Sequence, residues 1–60
     1  MNVNRTEVSS RSGNYTVLTG GTRAERLIEA TRVELQYLGH GAAAVTVAIG
    51  HDHVNVIPAY

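Results

Sequence analysis

The sequence predicts an α+β fold: a single amphipathic helix packed on a small sheet of three or four strands, in the order β-β-α-β-β. Three observations carry that expectation. A helical apolar period runs through the middle of the chain, two-residue alternation flanks it on both sides, and glycine-containing turns separate the segments. Sixty residues make one domain, 1–60. A chain this short buries only ~60% of the surface its unfolded form exposes. Small scaffolds therefore add a disulfide, a metal or a second subunit. With no cysteine, disulfides and thiolate zinc sites are excluded, and a homodimer or higher assembly is expected to complete the core.

The first twenty residues read as two extended pieces. Val3 to Val8 mixes β-branched and polar residues. Asn14 to Thr19, "NYTVLT", is the better strand, because Tyr, Thr and Val suit a pleated surface. The intervening "SSRSGN" has turn chemistry, so a β-hairpin is expected. The alternative is that residues 1–12 form a loose N-terminal arm, as polar termini often do.

The helix follows the glycine pair Gly20-Gly21. Thr22 is a good N-cap, and Glu25 three residues on makes a capping box. Ala24, Leu27, Ile28, Thr31, Leu35 and Leu38 recur on one stripe, which Ala30, Val33 and Tyr37 widen. Glu25, Arg26, Glu29 and Arg32 fall mostly on the other face, and Gly39 and Gly41 supply the stop. The stripe is wide for one short helix, so a sheet is expected to cover part of it and a partner subunit the rest. On that reading Leu35→Glu or Leu38→Glu abolishes folding and assembly together, because so small a subunit does not tolerate a buried charge.

Ala42 to Ile49, "AAAVTVAI", alternates an apolar face (Ala43, Val45, Val47, Ile49) with a small-residue face (Ala44, Thr46, Ala48). The small face lets another surface approach closely. Gly50 to His53 reads as a turn, and "HVNVIPAY" as a last strand with Val54 and Val56 on one face and Asn55 and Ile57 on the other. Pro58 suits a strand end or an edge, since it cannot donate to a ladder.

Composition excludes several function classes. Five arginines balance five acids, which is a poor electrostatic footprint for nucleic acid or an anionic membrane. No signal peptide is recognisable and no apolar run approaches the ~20 residues that span a bilayer, so a cytoplasmic protein with no membrane contact is expected. The turn at Gly21 and Thr22, with Arg23 or Arg26, has the position of an anion site at a helix N-terminus. The chain has no lysine and lacks the spaced glycines of a P-loop or dinucleotide fingerprint, so plain punctuation is the leading reading there. His51 and His53, two apart with Asp52 between them, are candidate metal ligands that a subunit interface would have to complete; a polar hairpin loop is the plainer reading. No serine lies near a histidine and an acid in a fixed element, so no catalytic residue is assigned and no cofactor is expected.

From Thr16 to Gly50 the chain resembles two small families in element order. "VLTGGTRAERLIEA" and "LGHGAAAVTVAI" are similar to the strand–turn–helix and second strand of the 4-oxalocrotonate tautomerases, short chains that assemble as oligomers. Their chemistry uses an amino-terminal proline, whereas the only proline here is Pro58, so that activity does not carry over. The same stretch resembles the first β-α-β of the Alba-like nucleic-acid-binding fold, but no second helix follows it. The expected function is a non-enzymatic binding or structural module acting on itself or another protein. Leu35, Leu38, Tyr37, Ala44, Thr46 and Ala48 are the expected self-association residues. Two alternatives stand beside it. One is a nucleic-acid-binding oligomer using Arg11, Arg23 and Arg26; the other is an oligomeric enzyme sharing a site built on His51, His53 or the turn at Gly21.

Overall fold

The computed structural model describes residues 2–60. Two hairpins flank one helix: β1 Val3–Ser10, β2 Gly13–Gly20, α1 Arg23–Gly39, β3 Ala44–Ile49 and β4 His53–Ala59. All four strands join in one antiparallel sheet of order β1-β2-β4-β3, with α1 across one face. The fold is α+β, with the expected element order. The first strand is no loose arm: β1 pairs with β2 along its whole length, from Val3↔Gly20 to Ser10↔Gly13. β2 and β3 run parallel, but β4 lies between them. The strand–helix–strand order is therefore split by an inserted strand.

Pro58 thus sits in an inner strand, and hydrogen-bond parity explains how. Gly50 N donates to His53 O at 2.8 Å, which makes Gly50/His53 a hydrogen-bonded pair of the β3–β4 ladder. Alternation then turns the backbone groups of His53, Asn55, Ile57 and Ala59 toward β3, and those of Val54, Val56 and Pro58 toward β2. The β2–β4 ladder ends at Thr16↔Val56, so the missing N–H of Pro58 faces a place where no ladder bond is due.

The core lies between α1 and the inner strands. Leu18, Val54 and Val56 are at most 1% exposed, and Ala30 and Val33 of α1 close over them, with Val3, Leu27, Tyr37, Val45 and Val47 packed around. The helix starts at the expected capping box: Glu25 N donates to Thr22 Oγ1 at 3.1 Å and Thr22 N to Glu25 Oε1 at 2.8 Å. It ends at Gly39, after which Gly41 takes a positive φ of 98° that a side chain would resist.

The helix is rotated from the expected orientation. Its buried stripe is Arg26, Ala30 and Val33, with Tyr37 half-buried, whereas Ile28, Leu35 and Leu38 are 50%, 63% and 43% exposed. Arg26, read from the sequence as outward, is buried. Polar anchors account for this. Arg26 Nη1 donates to the carbonyls of Gly20 and Gly21 at 3.0 Å each. The Tyr37 hydroxyl lies 2.7 Å from Thr16 Oγ1, and Arg5 reaches up from β1 to Glu29. These bonds pin one side of α1 to the sheet and turn the broader apolar stripe outward. Leu35 and Leu38 are therefore exposed on the single subunit, where the sequence reading placed them on the covered stripe.

Candidate functional site

The sheet has two edges, and they differ. Because β4 faces β2 through Val54 and Val56, β2 faces β4 through Thr16 and Leu18 and faces β1 through Tyr15, Val17 and Thr19. That leaves Val3, Arg5, Glu7 and Ser9 with backbone groups turned outward on β1. Arg5 and Glu7 point to the helix side, where Arg5 Nη2 is 2.6 Å from Glu29 Oε2 and Arg5 Nη1 donates to Gln36 Oε1 at 2.9 Å. Arg32 adds a second contact to Glu29 at 3.2 Å. The hydrogen bond and charge of Arg5 hold the Glu29 carboxyl below its ordinary pKa, with Arg32 adding to the effect. Inward-pointing charges of this kind guard an edge.

The other edge is β3, "AVTVAI". It carries no charge and no proline. Ala44, Thr46 and Ala48 turn their backbone groups to β4, so Val45, Val47 and Ile49 present theirs outward. The side chains of Val45, Val47 and Ile49 lie on the helix side, and Ile49 is 52% exposed. Ala44, Thr46 and Ala48 are exposed on the open sheet face. On α1, the flank opposite Glu29 and Gln36 carries Leu27, Thr31 and Leu38 together with the half-buried Glu34, beside the outward Ile28 and Leu35. The expected self-association residues are thus divided: Ala44, Thr46 and Ala48 lie on the open sheet face of β3, and Leu38 on the α1 flank above its opposite face. Leu35 lies next to that flank. Tyr37 belongs elsewhere, half-buried under α1 with its hydroxyl bonded.

The candidate anion site is not assembled. The Glu25 carboxylate occupies the Thr22 N–H, and Arg26 is held by the Gly20 and Gly21 carbonyls, its Nε buried without a partner. Gly20 and Gly21 both take positive φ, 78° and 62°, as a sharp entry into the helix requires. Arg23 lies at this end of the sheet, while Arg11 is in the β1–β2 turn at the other end, beyond the eight residues of β2. Arg5 and Arg32 are engaged with Glu29. His51 sits in the β3–β4 turn and His53 opens β4, its Nδ1 3.0 Å from Asp52 Oδ1. That hydrogen bond, with one from Asp52's own backbone, holds the Asp52 carboxyl below its ordinary pKa. Among the described residues no three His, Cys, Asp or Glu side chains are gathered as a metal would need, and no helix is long and apolar enough to cross a membrane.

A polar cleft that sequence reasoning missed lies on the β1 side, toward the C-terminal end of α1. Glu7, Thr16, Val33, Gln36, Tyr37 and His40 line a space of about 110 Å³. Thr16 is 1% exposed, and its hydroxyl donates to the Glu7 carboxylate at 3.0 Å from Oε2. A carboxylate only accepts, so the Thr16 proton points to Glu7 and the Tyr37 hydroxyl donates, at 2.7 Å to Thr16 Oγ1 and at the longer 3.5 Å to Glu7 Oε2. His40 Nδ1 is 2.8 Å from the Gln36 carbonyl, which also only accepts, so the neutral ring carries its proton on Nδ1 and keeps Nε2 as an acceptor. The four polar groups come from β1, β2, α1 and the helix cap, so no local motif contains them. The available sequence signals were Tyr37 at helical spacing from Ala30 and Val33, and the polar Thr16 alternating with Leu18.

Comparison of the chain with protein families, with curated proteins and with solved structures finds no match in any of the three.

Proposed function

We propose that this protein is a self-associating, non-enzymatic binding module whose copies join through β3. One observation carries the reading. The β3 edge has three outward backbone residues, no charge and no proline, on a chain whose opposite edge is guarded. Unpaired edges of this kind are templates for another strand. A second copy fits the pattern. Two copies of β3 related by a two-fold axis run antiparallel, and the register that uses every outward group centres on Val47. It pairs Val47 with Val47 of the second copy, and Val45 with Ile49 in both directions.

In that register every Val and Ile stays on the helix side, as a continuous sheet requires. Thr46 falls opposite Ala48 of the second copy, in the close non-hydrogen-bonded position, where Cα atoms approach to ~4.5 Å. Small side chains suit that approach. The two helices lie antiparallel on the same face, with Leu38, Thr31 and Leu27 on the flanks that face each other. Sedimentation velocity at micromolar concentration tests the reading. The expected result is a dimer for the unmodified protein and a folded monomer for Ile49→Pro, which removes an outward N–H without touching the β3–β4 ladder. A monomer at every concentration for the unmodified protein would sink the proposal.

A further inference from the structure

The cleft at Glu7, Tyr37 and His40 is separate from the β3 edge, and its chemistry points to a ligand class. We propose that it binds a primary ammonium group on a short aliphatic stem. The hydrogen-bond assignments direct the free polar atoms. Tyr37 spends its proton on Thr16, Thr16 spends its own on Glu7, and His40 spends its Nδ1 proton on the Gln36 carbonyl. What remains is a set of acceptors: the unused lone pairs of the Glu7 carboxylate, the Tyr37 oxygen and His40 Nε2. Gln36 is the exception, since its Oε1 accepts from Arg5 and leaves its amide protons as donors at the rim.

Charge points the same way. Among the described residues Glu7 has no cationic partner, a lack it shares with Glu25 and Glu34, whereas Glu29 has two; of these unpaired carboxylates only Glu7 lines the cleft. Arg5 reaches the rim only through Gln36 and is neutralised by Glu29. An ammonium offers three donors and a full positive charge to such a site, and charge-assisted bonds are the stronger kind. Size and lining set the stem. The space of about 110 Å³ is smaller than the ~150 Å³ cavity that holds benzene, so it takes a group of a few heavy atoms. Val33, 3% exposed, and the Tyr37 ring give the stem an apolar wall. The buried Thr16 hydroxyl fixes Glu7 and Tyr37 before any ligand arrives. The chain contains no lysine, so the side chains of a second copy do not supply the group. The source is a free alkylamine or a lysine side chain of another protein.

Amide-resolved NMR titration of the full chain tests this at constant ionic strength, with ethylammonium chloride, Nα-acetyl-lysine amide and sodium chloride in parallel. The expected result is saturable shifts at Glu7, Thr16, Tyr37 and His40 with a millimolar dissociation constant, the limit for so few heavy atoms. Binding should weaken at least tenfold in Glu7→Gln and several-fold in Tyr37→Phe. Glu7 is exposed, Tyr37→Phe keeps the ring that packs against the core, and circular dichroism checks that each variant is folded. Tighter binding of the lysine derivative assigns the site to a protein side chain, and binding of ethylammonium alone assigns it to a free amine. Absence of saturable shifts with either amine, equal shifts with sodium, or unchanged affinity in Glu7→Gln overturns the proposal.

Discussion

β1 and β3 both end the sheet, yet they close it by opposite means. β1 carries Arg5 and Glu7 on its helix side and is strapped to α1 through Glu29 and Gln36. β3 carries only Ala, Val, Thr and Ile, and Ile49 at its end stands half-exposed. Burial does not explain the contrast, since neither strand contributes a fully buried side chain. The difference is in what each edge permits. Charges turned inward on β1 would be left without water by an added strand. β3 itself carries no charge, and the one carboxylate on the helix flank above it is that of Glu34. On the proposed pairing, one guarded edge and one open edge on the same sheet would give a closed pair rather than an open-ended ribbon.

That contrast can be broken from the centre outward. Leu18→Ala removes a fully buried side chain from the strand that joins β1 to β4. It is expected to cost about 3 kcal/mol, enough to unfold most of so small a protein, as read by urea denaturation. Next comes Ile49→Pro, expected to weaken self-association about a hundredfold while leaving the monomer's thermal transition within a few degrees, measured by sedimentation and calorimetry. Loss of the fold itself would show that the Ile49 N–H points inward, against the parity argued from Gly50 and His53. Gly20→Ala acts at the β1 margin. Gly20 has φ 78°, and an added Cβ would lie 2.7 Å from the Asn2 carbonyl oxygen. About 2 kcal/mol of destabilisation is expected from the left-handed backbone and the displaced chain. An unchanged midpoint would mean that the start of β1 gives way freely.

The smallest effect sharpens the guarded edge. The hydrogen bond from Arg5, followed by its charge, holds Glu29 below the ordinary carboxyl pKa. A carboxyl lowered by folding adds stability that is fully present above its unfolded value, ~4.3, and is lost as pH falls through the lowered folded value. Arg5→Ala is therefore expected to lower stability modestly at pH 7, to leave it unchanged at the acid end, and so to flatten the acid limb of the stability–pH curve below about pH 5. An acid limb identical to that of the parent protein would show that the strap contributes nothing measurable in solution.

Element order and type were legible in the sequence because each rests on a local signal: the Thr22–Glu25 capping box, the alternation in "AVTVAI", the turn chemistry before Asn14. Strand order was not. Nothing local says that β4 enters between β2 and β3, and the parity that makes Pro58 acceptable there exists only once the ladders are known. The helix rotation was misread for a related reason. Apolar counting favoured the stripe with Ile28 and Leu35, but bonds from Arg26 to the turn before the helix, and from Glu29 and Tyr37 to distant strand residues, accompany the other orientation. The cleft shares that property, since Glu7, Thr16, Tyr37 and His40 meet only through the tertiary fold.

The join between β2 and β4 bears on how fast the chain folds. Each hairpin closes locally, whereas the four pairs from Thr16↔Val56 to Thr19↔His53 connect residues separated by more than half the chain. Loop-closure entropy must be met there before those pairs contribute anything. Both hairpins and the capped helix can assemble in microseconds, and the search for this short central seam sets the pace. Until it closes, two half-sheets exist with four open edges in place of two, and the uncharged flanks of Leu18 and Val54 are then the surfaces most exposed to a neighbouring chain on the ribosome or in the test tube.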